Sequence, residues 1–208
     1  MNILLLDDHT MTLEGYASIL ERQDTEFHKL LNCEQFYQWL EQGNRPDIAV
    51  IDHDLPAYAE QGLYNGADCA LLLRKHVSNT RIVLVTAHTE VLLLYTIYKK
   101  VKPDVMLSKE DVNPEEFRAM LYSDMHTPYQ SSRIRLAIKE ANLRISLLDD
   151  TNREILLYLS KGFKVKDLED VVFLTKSAIQ KRLSKIQSEF NVRDVNDLIK
   201  VLINADFL

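Results

Sequence analysis

Short apolar runs alternate with amphipathic, helix-like segments in the first part of the chain, and each run stops at polar residues. This alternation is typical of βαβ units, in which helices connect the parallel strands of one sheet. We therefore predict a doubly wound, parallel five-stranded α/β domain over residues 1–122. Its strands are expected near residues 2–6, 27–31, 48–51, 81–85 and 104–108.

A polar, turn-prone stretch from residue 123 to residue 132 ends this pattern. Arg133–Leu143 has the pattern of a linker helix, so residues 123–147 are predicted to be a partly helical linker. No convincing strand pattern follows, which predicts a small all-α domain over residues 148–208. Its helices are expected at Asp150–Ser160, Lys164–Val171, Thr175–Glu189 and Val195–Ile203.

Polar side chains with the chemistry of phosphoryl transfer follow four of the apolar runs. The first run ends in Asp7 and Asp8, and the later ones end in Asp52, Thr86 and Lys109. In an open parallel sheet, ligands bind outside the carboxyl ends of the strands. Carboxylates there suit a hard cation such as Mg²⁺, and a hydroxyl and an ammonium group can hold phosphoryl oxygens. The pattern therefore predicts a phosphate carried on Asp52.

This order of residues resembles the receiver domain of bacterial two-component response regulators, over residues 1 to about 122. The family pattern is an acid pair, an acceptor aspartate, a Ser or Thr and a Lys after strands one, three, four and five. The resemblance implies that a sensor histidine kinase phosphorylates Asp52, that Thr86 shifts toward the phosphoryl group, and that Lys109 pairs with it. The implied Mg²⁺ ligands are Asp8 and Asp52 directly, Asp7 through water, and the backbone carbonyl of Asp54.

Three features beside the predicted site depart from the family pattern. The segment between Pro56 and Gly66 is longer than the usual loop. Met106 stands where an aromatic residue is usual, and Asp54 adds a carboxylate close to the acceptor. None of these changes removes a catalytic atom, so they bear on switching geometry and phosphate lifetime.

Asp52-x-Asp54 after an apolar strand also resembles the nucleophile motif of haloacid-dehalogenase-type phosphatases. In those enzymes the motif precedes the other catalytic residues and the acid pair comes last. Here Asp7 and Asp8 come first, and the usual Gly-Thr continuation is absent. The pattern therefore favours a regulator over an enzyme, with the phosphatase as a distant alternative.

The segment Thr175–Phe190 divides into two faces when it is placed on a helix. One face is apolar, and the other carries polar and basic groups; no acid occurs from residue 171 to residue 188. A solvated surface face is the simplest interpretation of such a helix alone. The preceding short helix and tight connection instead favour a helix-turn-helix unit that shows this face to a DNA groove.

The last sixty or so residues resemble the C-terminal domain of the NarL/LuxR family. The resemblance implies that Gln180, Lys181 and Ser184 face bases, and that Lys176, Arg182 and Lys185 contact phosphates. It also implies a dimer contact through the last helix, although an intradomain core role is an equal alternative. The residues that carry the resemblance are Leu148, Arg153–Leu156, Gly162, Lys166–Leu168, Leu174, Thr175, Ala178, Ile179, Ile186, Phe190 and Val192.

Composition agrees with a folded regulator. The chain has 208 residues, 46% hydrophobic and 27% charged, with a net charge of −6. The N-terminus has no signal-peptide pattern, and no stretch approaches the roughly 20 apolar residues of a membrane span. We therefore expect a cytoplasmic protein without a membrane partner. Cys33 and Cys69 have no metal-binding spacing and are expected to be structural thiols.

The combined prediction is a DNA-binding transcriptional response regulator rather than an enzyme. A sensor histidine kinase phosphorylates it on Asp52, and phosphorylation promotes homodimerisation and binding to double-stranded DNA. The alternative is a regulator with a degenerate receiver that binds DNA without phosphorylation. Met106 and the long loop favour this alternative slightly, whereas the complete set of acids, Thr86 and Lys109 argues against it.

Overall fold

The computed structural model describes residues 1–122, 127–143, 149–205 and 207–208. The chain forms two units, one of residues 1–88 with 97–134 and the other of residues 89–96 with 135–208. The predicted domain boundaries after residues 122 and 147 involve residues 123–126 and 144–148, which lie outside the described residues, as does Leu148.

Parallel strands form the sheet of the first unit, and six are found among the described residues. They are β1 (Asn2–Leu6), β2 (Glu26–Leu30), β3 (Ile48–Asp52), β4 (Arg81–Thr86), β5 (Val105–Ser108) and β6 (Tyr129–Gln130). Their order across the sheet is β2-β1-β3-β4-β5-β6. The helices that follow the first five strands are α1 (Thr10–Leu20), α2 (Cys33–Glu41), α3 (Gly66–His76), α4 (Val91–Val101) and α5 (Pro114–Tyr122).

The inner strands are buried, which is why their sequences are continuous apolar runs instead of alternating patterns. Leu5, Val50 and Val85 belong to one hydrophobic core with Leu13 of α1 and Phe117 of α5. Because β1, β3, β4 and β5 lie side by side in parallel, their carboxyl ends share one edge of the sheet. The predicted parallel α/β architecture is confirmed, and it brings the polar strand ends together.

The sheet has one strand more than the five predicted. Residues Tyr129–Gln130, which the sequence assigned to a linker, pair in parallel with β5. The N–H of Tyr129 donates to the carbonyl of Asp104 at 2.9 Å, and the N–H of Ser131 donates to that of Met106 at 3.0 Å. Two residues are too few for a hydrophobic period to be visible. Helix α6 (Ser132–Leu143) follows directly.

The C-terminal part contains the helices α7 (Asp150–Ser160), α8 (Glu169–Val172), α9 (Lys176–Glu189) and α10 (Val195–Asn204). The predicted helix Lys164–Val171 is wrong as a single element, because a 3₁₀ turn over Val165–Asp167 precedes the one-turn α8. Thr175 caps α9, and its hydroxyl accepts the N–H of Ala178 at 3.3 Å. Phe173, with a φ of 53°, ends α8 in a left-handed conformation.

The two cysteines are buried within the first unit, as expected for structural thiols. Cys33 begins α2 and Cys69 lies in α3, and their Sγ atoms are 3.5 Å apart without a disulfide bond. In the described part of the chain, no helix combines the length and apolar character that crossing a bilayer requires.

Candidate functional site

Four strand ends converge on one acidic pocket. Asp7 follows β1, Asp52 is the last residue of β3, Thr86 is the last residue of β4, and Lys109 follows β5. Asp52 lies beside Val85 in the register of β3 and β4, and Thr86 lies beside Ser108 in that of β4 and β5. The parallel sheet thus places the side chains that the sequence singled out at neighbouring positions.

The Lys109 ammonium group lies between two buried carboxylates. Its Nζ is 3.0 Å from Oδ2 of Asp7 and 3.0 Å from Oδ1 of Asp52, and these residues are only 1% and 4% exposed. Burial alone would lower the pKa of Lys109, but its contacts with Asp52 and Asp7 outweigh that effect and raise the pKa. The lysine therefore stays charged and holds the two aspartates in place.

Asp52 has unused capacity to bind a cation or a phosphoryl group. Burial raises its pKa; Lys109 opposes this rise, Asp7 and Asp54 add to it, and the resulting pKa is about 6. The contact between Oδ1 and Lys109 has the distance of an ion pair but not the geometry of a directed hydrogen bond, so this buried oxygen has no hydrogen-bond partner. The carboxylate is thus mostly ionised at neutral pH and incompletely compensated.

Asp7 and Asp8 differ in how far the protein already engages them. Asp7 accepts the N–H of His9 on Oδ1 at 2.9 Å and contacts Lys109 through Oδ2. Asp8 is exposed, with its Oδ1 2.6 Å from Nδ1 of His9. Asp7, Asp8 and His9 offer ligand atoms within 4.8 Å of one another. Carboxylate oxygens, including those of the incompletely compensated Asp52, are the donors that Mg²⁺ prefers, so these residues fit that ion.

Thr86 and Asp54 both come after Asp52 in the chain, and each of them contacts His88. Thr86 is fully buried, and its Oγ1 accepts the backbone N–H of His88 at 3.1 Å. Oδ1 of Asp54 lies 3.0 Å from Nε2 of His88. The extra carboxylate of Asp54 is therefore paired with an imidazole instead of with Lys109.

The long loop after Asp52 is an ordered turn. Tyr58 and Leu63 exchange backbone hydrogen bonds of 2.7 and 3.2 Å around a 3₁₀ turn, and Gly62 has a φ of 69°. At the end of the loop, Gly66 packs so closely on β3 that a Cβ atom would lie 1.8 Å from the carbonyl oxygen of Asp52. The loop thus returns to Asp52 and contacts its backbone.

The predicted DNA-facing residues all belong to α9 and differ in accessibility. Five of the six are exposed, whereas Arg182 is partly buried. Nη1 of Arg182 lies 2.8 Å from Oδ1 of Asp149 and 2.9 Å from Oδ1 of Asn152, which ties α9 to the start of α7. The exposed five are Lys176, Gln180, Lys181, Ser184 and Lys185.

Residues 3–122 match the family model of the response regulator receiver domain. Such a domain is what the geometry of this pocket leads us to expect. The chain belongs to the response regulator family. The predicted recognition, a NarL/LuxR-type response regulator, is confirmed by this match together with full-length relatives. Those relatives are named as regulators, in line with the expected regulatory role.

Among the relatives, oxygen regulatory protein NreC of Staphylococcus epidermidis is 20% identical over 226 residues, which cover 100% of this response regulator and 99% of NreC. DNA-binding transcriptional activator EvgA of Escherichia coli is 21% identical over 206 residues, with 95% of each protein covered. A solved structure of RcsB from Salmonella enterica serovar Typhimurium has a TM-score of 0.67 at 14% identity, over 97% of both chains. This likeness shows the shared fold.

Sequence reasoning about the response regulator missed three residues that the structure makes conspicuous. His53 is buried beside Asp52, and its ring lies 5.3 Å from that of His88. Their positions, one residue after Asp52 and two after Thr86, were the only available signal. Phe173 is 90% exposed at the turn before α9, and no sequence pattern distinguishes it from a core aromatic residue.

Proposed function

We propose that this response regulator is a DNA-binding transcription factor that a sensor histidine kinase phosphorylates on Asp52. The observation that carries the proposal is the position of Lys109, 3.0 Å from both Asp7 and Asp52 at the shared edge of the sheet. A carboxylate is a weak nucleophile toward phosphorus unless positive charge neutralises the incoming oxygens. The pocket combines that nucleophile with a fixed cation.

In the proposed reaction, a carboxylate oxygen of Asp52 forms the new bond to phosphorus while the bond from phosphorus to the donor breaks. Lys109 keeps its positive charge at the pocket and pairs with a phosphoryl oxygen. Thr86 has its hydroxyl at the end of the adjacent strand, where a small displacement brings it to another phosphoryl oxygen. The hydrogen bond from His88 to Thr86 would have to adjust in that step.

The proposed metal ligands are Asp8 and Asp52, with the backbone carbonyl of Asp54 as a third and Asp7 acting through water. The engagement of both Asp7 oxygens by His9 and Lys109 supports an indirect role for Asp7. When bound, Mg²⁺ would supply positive charge that neutralises phosphoryl oxygens during transfer. Asp8 is exposed and can turn toward such an ion.

Replacing Asp8 with Ala should suppress labelling of the protein by a small phosphodonor such as acetyl phosphate. The reason is that Asp8 is the exposed member of the acid pair and the one proposed to hold Mg²⁺ directly. A phosphate-sensitive gel, run after incubation with Mg²⁺ and the donor, measures the labelled fraction. Asp170→Ala, which removes an exposed acid from α8, is the matched control. Labelling of the wild type that persists in excess chelator would contradict the metal requirement.

The exposed polar face of α9 is the proposed DNA-reading surface. Thr175 caps this helix, and Ile179, Leu183 and Ile186 bury its opposite face. The relative EvgA is named a DNA-binding transcriptional activator, and RcsB has been solved bound to promoter DNA in the presence of phosphomimetic BeF3⁻. These relatives support double-stranded DNA as the partner, and a structure of two RcsB dimers bound to DNA supports a homodimer as the active form. The proposed site of action is the cytoplasm.

Lys185→Ala and Gln180→Ala should have different effects on DNA binding. Loss of a phosphate contact at Lys185 weakens binding to all sequences alike and flattens the dependence on salt. Loss of the Gln180 amide mainly relaxes base preference, by about 1–3 kcal/mol of discrimination. Fluorescence anisotropy with specific and scrambled duplexes at several salt concentrations measures both. Lys75→Ala removes an exposed cation from α3 and should change neither quantity.

The second candidate function is DNA binding without phosphorylation. The observation that favours it is Met106, which is fully buried in β5 and lacks the aromatic ring of the usual switch residue. The two candidates differ in how affinity responds to phosphate. A phosphorylation-driven dimer binds paired half-sites more tightly after phosphorylation because linkage raises effective concentration. Equal affinities for single and paired sites, with and without phosphate, would support the second candidate.

A further inference from the structure

Two histidines and an aspartate form a second polar cluster in the first unit, beside the acidic pocket. His53 and Asp54 follow β3, and His88 lies two residues after the end of β4. One ring nitrogen from each histidine and one carboxylate oxygen of Asp54 lie within 4.8 Å of one another. The proposed phosphorylation chemistry uses none of these three side chains.

The burial of His53 is an independent sign of a missing partner. His53 is only 7% exposed, and its Nδ1 is buried without a hydrogen-bond partner. Leaving a buried polar nitrogen unpaired costs free energy, because it has lost its contacts with water. Burial lowers the pKa of His53, and the nearby Asp54 carboxylate opposes this shift.

One ligand distance and the spacing of the two rings are close to those expected around a shared tetrahedral ion. Bonds of about 2.1 Å at tetrahedral angles place two ligand atoms about 3.4 Å apart, and Oδ1 of Asp54 lies 3.0 Å from Nε2 of His88. Two imidazoles on one such ion would have ring centroids about 5 Å apart. The centroids of His53 and His88 are 5.3 Å apart, with an interplanar angle of 72°.

We infer that His53, Asp54 and His88 form a binding site for a borderline divalent transition-metal ion such as Zn²⁺, separate from the Mg²⁺ pocket. Imidazole nitrogens favour zinc, cobalt, nickel and copper over magnesium, which takes oxygen ligands. Two histidines and one carboxylate leave a tetrahedral position open for water. Asp54 would use its side chain here, and only its backbone carbonyl is proposed for the Mg²⁺ site.

The competing explanation needs no metal. An imidazole paired with a carboxylate, and two rings in edge-to-face contact, are ordinary protein interactions at these distances. That explanation leaves Nδ1 of His53 unpaired, whereas a metal ion held by one nitrogen of each histidine would give all three side chains a common partner. The two explanations differ in one measurable property, which is stoichiometric binding of a transition metal.

Titration with Co²⁺, which absorbs visible light strongly when tetrahedral, tests the site. The full chain, free of any polyhistidine tag and stripped of metal, is titrated in buffer with excess Mg²⁺, which keeps the acidic pocket occupied. We expect visible bands that saturate at one Co²⁺ per chain and disappear when Zn²⁺ is added. His88→Ala should weaken this binding by about 100-fold or more, since loss of even an outer-shell partner costs about 10–100-fold.

Two matched variants separate this site from other histidines. His76→Ala removes an exposed imidazole from α3 and should leave the bands unchanged. His9→Ala should also leave them unchanged, although Asp7, Asp8 and His9 are close enough to hold an ion. Bands lost in His9→Ala, or retained at full strength in His88→Ala, would overturn the assignment.

Asp54→Asn provides a second test that does not depend on His88, because it removes the ligand charge without removing volume. Its expected effect is the same loss of Co²⁺ affinity. Cooperative thermal unfolding of each metal-free variant shows that the fold persists. Wild-type protein that gives no tetrahedral Co²⁺ spectrum would show that the cluster is only a hydrogen-bonded pair with a ring contact.

Discussion

Asp52→Asn should abolish phosphorylation of the protein by both a sensor kinase and a small phosphodonor. The amide cannot act as the nucleophile, and Asp52 is the carboxylate that ends β3 and contacts Lys109. The measurement is a phosphate-sensitive gel, with Asp170→Asn in α8 as the control that should label like the wild type. Labelling that survives in Asp52→Asn and is lost in Asp54→Asn would move the acceptor to Asp54.

The loss of labelling in Asp52→Asn should not reflect unfolding. Burial raises the pKa of Asp52 to about 6, so folding disfavours its ionised form. The stability that this group contributes is present below its unfolded pKa, near 4, and is lost as the pH rises through about 6. At neutral pH the charge therefore opposes folding, by about 3 kcal/mol at most. A neutral isostere removes that cost, so the thermal midpoint without Mg²⁺ should not fall.

The parallel α/β architecture of the first unit could be predicted from sequence because the sheet is buried. Strands β1, β3, β4 and β5 read as apolar runs only because both of their faces are covered, and each run ends where a polar residue reaches the edge of the sheet. Asp7, Asp52 and Lys109 could be grouped from sequence because parallel strands bring their carboxyl ends together. The ion pairs of Lys109 with Asp7 and Asp52 could be identified only from the three-dimensional structure.

Short elements escaped prediction for the opposite reason. The strand Tyr129–Gln130 has no periodicity to detect, and only its pairing with β5 defines it. Helix α8 is only one turn long, so it has no repeated apolar pattern. Packing against the rest of the fold therefore decides where the 3₁₀ turn ends and the helix begins. Sequence pattern identified a helical region there and could not resolve its break.

Partner choice among side chains was also beyond the sequence. Arg182 looked like a phosphate-contacting cation, yet its guanidinium bonds to Asp149 and Asn152, more than 25 positions earlier in the chain. Asp54 looked like an extra charge beside the acceptor, yet it pairs with His88. Charge type is visible in a sequence, whereas the geometry that selects one partner over another depends on how the elements pack.

Gly66→Ala should be the most damaging small substitution in the first unit. A Cβ at this position would lie 1.8 Å from the carbonyl oxygen of Asp52 and 2.9 Å from Cγ2 of Ile51. The first contact is with backbone, so no change of side-chain rotamer can relieve it. The N–H of Gly66 also donates to the carbonyl of His53 at 2.8 Å, which holds the start of α3 against the end of β3. The glycine is therefore needed for close approach and not for a left-handed conformation.

We expect Gly66→Ala to lower the free energy of unfolding by more than about 3 kcal/mol, because overpacking against a rigid backbone is among the costliest single changes. Urea denaturation of the full chain measures this loss. Gly15→Ala is the matched control, since a Cβ there meets nothing within 4 Å and alanine favours a helix by about 1 kcal/mol over glycine. Any folded Gly66→Ala protein should label poorly, because the clash displaces Asp52, the proposed acceptor. Wild-type stability together with wild-type labelling would show that the contact between α3 and Asp52 is looser than the structure places it.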